Sequence, residues 1–167
     1  MTAPTDDEPT PEPSSPACLM HEADDSYMGY VGRDELVAFL NELLEAERAG
    51  ARITLESAQL AGDTPVGALL RDIQQDEAHW CAMLLGHLRS LNAAPSPKVG
   101  AFYDKAAAIA ELDARVTFIN RGQRWVVRKL CEMMPRLRDA GLRSDLEQML
   151  RSHEANIALV DAATGAV

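Results

Sequence analysis

The stretch Leu69–Leu91, LLRDIQQDEAHWCAMLLGHLRSL, decides the fold. Its apolar residues Leu69, Ile73, Trp80, Leu84 and Leu91 recur at the spacing that lines one face of an α-helix. At about 100° per residue, Glu77 lies about 40° from the centre of that stripe, while Asp76 and His79 lie about 60° and about 120° away on the other side. The stripe therefore turns one acid inward. It leaves Asp76 and His79 at the helix edge, solvated or in a surface pair. A second copy, Asp145–Val160 (DLEQMLRSHEANIALV), aligns with the first when Ile73 is laid on Leu146. Glu77 then falls on Leu150, Trp80 on His153, Leu84 on Ile157 and His87 on Val160.

Working outward, a helix is expected from near Asp34 to near Gly62, with Leu36, Leu40, Leu43 or Leu44, Glu47, Ala51, Thr54 and Ala58 in period. Glu47 points inward, whereas Glu42 and Glu45 point out. GDTP after it is a turn. A third helix carries Leu112, Val116, Ile119, Gln123, Val127, Leu130 and Met134 on one face, with Gln123 at its centre, and Pro135 kinks or ends it. Asp139–Gly141 reads as a short turn before the last helix. The first and third helices also correspond: Leu40 falls on Val116, Leu43 on Ile119 and Glu47 on Gln123. Between the second and third helices, NAAPSPKVG and AFYDKAAAIAEL make a connection of about twenty residues, enough to run the length of a helical bundle.

An internal repeat of hairpin, long crossover and hairpin predicts an all-α four-helix bundle over residues 33–164. Residues 1–16 are rich in Pro and acid, and a disordered tail is expected there. Residues 17–32 carry Leu19, Met20, Tyr27, Met28, Tyr30 and Val31, and are expected to pack on the domain as an arm.

With 167 residues the chain is long enough for one domain with a core. Seven acids and no Lys or Arg precede Arg33, so most of the formal charge of −10 belongs to the N-terminus, and nothing points to nucleic-acid binding. No apolar run reaches membrane-spanning length, and the N-terminus lacks the pattern of a secretory signal. Cys18, Cys81 and Cys131 are odd in number and far apart, which argues against a disulfide framework and for a cytoplasmic protein. There is no Gly-rich phosphate loop, nucleophile elbow or CxxC pair.

The inward positions Glu47, Glu77-x-x-Trp80, Gln123 and Leu150-x-x-His153, set in this architecture, resemble the ferritin-like superfamily, including the rubrerythrins and bacterioferritins. The resemblance covers residues 34–163 and lies in architecture and position; an uncharacterised bacterial family of that kind is expected. Its di-metal members supply an inward Glu from the first and third helices and an inward Glu-x-x-His from the other two. Residues three apart share a helix face, which is why the ligands pair that way. Here Glu47 matches, Gln123 replaces a Glu, Trp80 replaces a His and Leu150 replaces a Glu. The resemblance thus implies a degenerate metal centre of Glu47, Glu77 and His153, with Gln123 adjacent.

Two readings of that centre stand. In one, a single iron or manganese ion is held by two carboxylates and one imidazole. In the other, no metal is bound: His153 is cationic between two carboxylates, and Gln123 satisfies what remains. The second is preferred because half the ligand set is missing. It makes the chain a non-catalytic binding or scaffold protein; the alternative is a metal-dependent oxidoreductase of the carboxylate-bundle type. Elsewhere, Cys18-x-x-His21 is read as arm packing rather than a metal site, and His87 as a satisfied core histidine. Arg121, Arg124, Arg128, Arg136, Arg138, Arg143 and Arg151 are read as a solvated face laced with acids, with a docking surface as the alternative. Trp125 is expected to face outward as a contact in a homodimer, and an unidentified protein partner, but no membrane or nucleic acid, is expected.

Overall fold

The computed structural model describes residues 28–165. Five helices account for the fold: α1 Arg33–Ala61, α2 Pro65–Ser90, α3 Phe102–Ala107, α4 Leu112–Met133 and α5 Ala140–Thr164, with a 3₁₀ turn Met134–Arg136 after α4. There is no strand among the described residues. Local chemistry sets the boundaries. Gly62, at φ 62°, ends α1 and returns its N–H to the Ala58 carbonyl. Thr64 caps α2 by accepting from the Gly67 N–H, and Pro65 fills the first helical position, where its missing donor costs nothing. The second helix therefore starts four residues before the apolar stripe does. Asp139 is likewise the N-cap of α5, accepting from the Leu142 N–H, so the expected Asp139–Gly141 turn is the start of that helix. Pro135 falls in the 3₁₀ turn that closes α4.

Side-chain contacts fix the topology. Arg33 reaches the Leu91 carbonyl and Thr54 meets Glu77, so α1 and α2 run antiparallel. Asn120 donates to Asp161, and Arg143 reaches back to the Leu137 carbonyl, so α4 and α5 do too. Glu35 pairs with Arg136 and Glu42 with Lys129, placing α4 antiparallel beside α1. Asp76 meets Ser152 and His87 meets Asp145, placing α5 antiparallel beside α2. It follows that α2 and α4 point the same way, and the chain between them must travel back along the molecule. It does so on α1. The Ser96 N–H donates to Asn41, Gly100 donates to the Glu45 carbonyl, and the Tyr103 hydroxyl donates to Glu56. This crossover contains α3, a helix absent from the sequence expectation.

The core has two apolar clusters. One gathers Leu40, Leu43, Leu44, Trp80, Leu84, Leu130 and Leu146; the other gathers Ile53, Leu70, Ile73, Val116, Ile119 and Val160. The aligned repeat positions Leu40 and Val116, Leu43 and Ile119, Ile73 and Leu146, and Leu84 and Ile157 are all buried. In α4, Val126 is buried and Val127 half-buried, so the inward face there is centred one residue earlier than expected. Val31 joins the first cluster and donates its N–H to the Arg136 carbonyl, while Met28 is exposed. The expectations for residues 1–16 and for the rest of the arm, Cys18 and His21 included, lie outside the described residues. No helix among the described residues is long and apolar enough to cross a membrane.

Candidate functional site

Between the two apolar clusters lies a polar layer, one level of the core built from every long helix. Glu47 comes from α1, Glu77 from α2, Gln123 from α4 and His153 from α5, and each is at most 4% exposed. Each follows a buried apolar residue at three or four positions (Leu44, Ile73, Ile119, Met149), so the period that buries the core also carries these polar groups inward. The four positions singled out in the sequence are thus brought to one place.

They meet as two groups. His153 Nε2 lies 3.2 Å from Glu47 Oε1, and His153 Nδ1 lies 3.0 Å from the Met149 carbonyl. Both ring nitrogens face acceptors, the arrangement that suits an imidazolium. In the second group Gln123 Nε2 donates to Glu77 Oε1 at 2.6 Å, and the Thr54 hydroxyl lies 3.0 Å from Glu77 Oε2. Thr54 also lies 2.8 Å from the Gly50 carbonyl. Gly50 makes room for this group: a Cβ there would stand 2.5 Å from Glu77 Oε1.

The electrostatics of the two groups differ. Burial, and then the nearby Glu47 charge, hold the Glu77 carboxyl well above the ordinary value of 4.5, outweighing the hydrogen bonds from Thr54 and Gln123. A neutral Glu77 fits the contacts: protonated on Oε2 it donates to Thr54, which donates onward to the Gly50 carbonyl, while Oε1 accepts from Gln123. For His153, burial acts to lower the pKa. The Glu47 charge, the hydrogen bond to it and the Met149 carbonyl outweigh burial and raise it above 6.5. The layer thus sets an imidazole against one buried carboxyl, Glu47, and an amide and a hydroxyl against the other, Glu77.

As a metal site the donor set fits poorly. Gln123 turns its amide N–H toward Glu77, His153 has both nitrogens engaged, and both Glu77 oxygens have partners. Among the described residues, no group of three or more His, Cys, Asp and Glu is arranged to hold an ion. Within the layer, two buried oxygens have no hydrogen-bond partner, Glu47 Oε2 and Gln123 Oε1.

The layer is reached through a cavity of about 360 Å³ between α1, α3 and α4. Glu47, Glu77, Gln123 and His153 line its inner part; Phe102, Phe118, Ile119, Trp125 and Val126 form apolar wall, and Glu42, Glu45 and Lys105 lie among its more exposed lining. Phe102, at the start of α3, stacks on Phe118 with ring centroids 5.0 Å apart. It can do so because α4 has Gly122 beneath it, where a Cβ would come within 2.6 Å of the ring.

Other sequence expectations fare differently. Trp125 does not face outward. It is half-buried in the cavity wall, with Lys129 over its ring at 5.3 Å, because α3 and α1 occupy the side of α4 that a two-helix view leaves open. His87 is not a core histidine: it is half-buried near the end of α2, 2.7 Å from Asp145. Asp76 is at the helix edge as expected, but it is bonded to α5, accepting from Ser152 and Asn156 at 2.9 and 3.0 Å. His79 is exposed, edge-on to Trp80. Arg124 pairs with Asp161 and Arg136 with Glu35, as a face laced with acids would. Burial, and then the Glu47 charge, push the Cys81 thiol up to about 12. Sequence reasoning placed Thr54 in the inward period without its role, and missed Gly50, Gly122 and Phe102. Thr54 and Gly50 lie seven and three residues after Glu47, on its own helix face, which was a usable signal.

An all-helical protein with a buried polar layer at the floor of a cavity is the class that fold and site define. The chain belongs to the family described as Domain of unknown function (DUF6306), which matches residues 34–162. No curated protein and no solved structure matches it.

Proposed function

We propose that this chain is a ferritin-like four-helix bundle whose metal centre has given way to a polar layer that pairs its own acids, and that it acts as a non-catalytic binding protein. The observation that carries the proposal is the pairing within the layer. Glu47 is matched by His153, and Glu77 is matched by Gln123 and Thr54, so its charges need no ion for neutrality. The ferritin-like assignment is supported by the antiparallel neighbours, the crossover along α1 and the repeat that superposes Glu47 on Gln123. A cytoplasmic location belongs to the same proposal, supported by the free thiols of Cys81 and Cys131.

The test is elemental analysis of protein purified without an affinity tag, repeated after iron, manganese and zinc are offered. Substoichiometric metal, and a melting temperature indifferent to chelator, are expected. About one tightly held transition metal per chain would overturn the proposal in favour of the oxidoreductase, with Glu47, Glu77 and His153 as ligands.

A further inference from the structure

We infer that the cavity beside α3 binds a small organic amine as its ammonium, with the N–H donors on Glu47 and Gln123 and an apolar body against the aromatic wall. The inference rests on the metal-free reading above, because an ion would occupy the same oxygens.

The chemistry follows from what the cavity leaves unmatched. Glu47 is 2% exposed and Gln123 3% exposed; both line the cavity, and each has one oxygen without a partner. A buried acceptor without a donor is costly, and native proteins leave few of them. Among the residues lining the cavity, the buried side-chain atoms without partners are these two acceptors. The imidazole nitrogens of His153 and the amide nitrogen of Gln123 are engaged within the layer. A ligand that completes the floor must therefore donate. A carboxylate or phosphate would bring acceptors to acceptors and negative charge to Glu47. Glu42 and Glu45 set two further carboxylates against Lys105, with Lys129 pairing Glu42 at 2.9 Å. Phe118, Ile119, Trp125 and Val126 offer apolar area, and aromatic faces attract cations. A cavity of about 360 Å³ is within the range of sites for small molecules rather than for peptides.

The experiment is calorimetric titration of the full chain at neutral pH with four probes used separately: 3-phenylpropylamine, 3-phenylpropan-1-ol, 3-phenylpropanoate and manganese(II) chloride. The amine should bind one per chain and at least about tenfold more tightly than the alcohol, with no binding of the propanoate. Glu47→Gln should erase the preference for amine over alcohol, and Gln123→Met should weaken amine binding by about tenfold. Tryptophan emission of the unaltered chain, to which Trp80 and Trp125 contribute, should change on titration with the amine, a readout that survives if either variant fails to fold. Equal binding of amine and alcohol, binding of the propanoate, or no binding of the amine overturns the inference. If neither amine nor manganese binds, this inference alone falls and the metal-free reading stands. Manganese bound one per chain overturns that reading, and this inference with it.

Discussion

The polar layer has two halves that treat a buried glutamate in opposite ways. Glu47 has an imidazole against it, with His153 Nε2 3.2 Å from its Oε1. Glu77, at the same level and equally buried, faces an amide and a hydroxyl instead, and the charge of Glu47 further disfavours its own. The sequence motif of a residue does not set its protonation; what stands across from it does. Both halves also span the same kind of gap. α1 with α5, and α2 with α4, are the diagonal pairs of long helices, and in neither pair do the backbones approach closely. Glu47–His153 ties the first diagonal and Glu77–Gln123 ties the second. The layer therefore joins helices that are not neighbours in the bundle.

The largest effect should come from breaking the ionic half. Glu47→Ala leaves His153 buried without its counter-charge, and a loss of about 3–5 kcal/mol in unfolding free energy is expected. Urea denaturation near neutral pH measures it. A loss below about 1 kcal/mol would place the pair among weak, solvated ones and end the contrast.

The next effect tests the neutral half by crowding it. Gly50→Ala puts a Cβ 2.5 Å from Glu77 Oε1, and the carboxyl is too enclosed to move aside freely. Alanine favours the helix by about 1 kcal/mol over glycine, so a simple propensity argument predicts stabilisation. Overpacking should win, with a net loss of about 1–3 kcal/mol. Removing the obstacle sharpens the test: in a Glu77→Ala background, Gly50→Ala should become neutral or stabilising. Additive effects of the two substitutions would show that Glu77 is not what the glycine accommodates.

How much of this was legible in the sequence follows from periodicity. The 3.6-residue stripe and the repeat located Glu47, Glu77, Gln123 and His153, and the stripe rightly set Asp76 and His79 aside. What periodicity cannot see is contact across helices. Trp125 reads as outward when only its own hairpin is considered, yet the crossover brings α3 over that side of α4. Phe102 and Gly122 lie twenty residues apart and make sense only together. Thr54 reads as one more core position, and its role appears only when Glu77 arrives from α2. The start of α2 was hidden for a different reason: Thr64 and Pro65 look like a turn, and the residues that cap a helix are those that make turns.

The smallest effect, and the one that most directly separates the two halves, is Glu77→Gln. The amide is nearly isosteric with a neutral carboxyl. It can donate to Thr54 as the protonated acid does and accept from Gln123 through its oxygen. Stability near pH 5 should therefore change by less than about 1 kcal/mol. The difference should grow with pH. A carboxyl whose folded pKa is raised holds a proton that the unfolded chain releases above 4.5, so the native state binds more protons and loses stability as pH rises toward the folded pKa. Glutamine cannot titrate, so the variant should gain on the unaltered chain as pH rises above 4.5. Some alkaline loss should remain in the variant and belongs to His153. Its raised pKa contributes stability that is present below 6.5 and fades as pH rises through the folded value. A constant offset between the two proteins as pH rises would mean that Glu77 is ionised in the folded state, and the layer would then hold two charged acids against one imidazole.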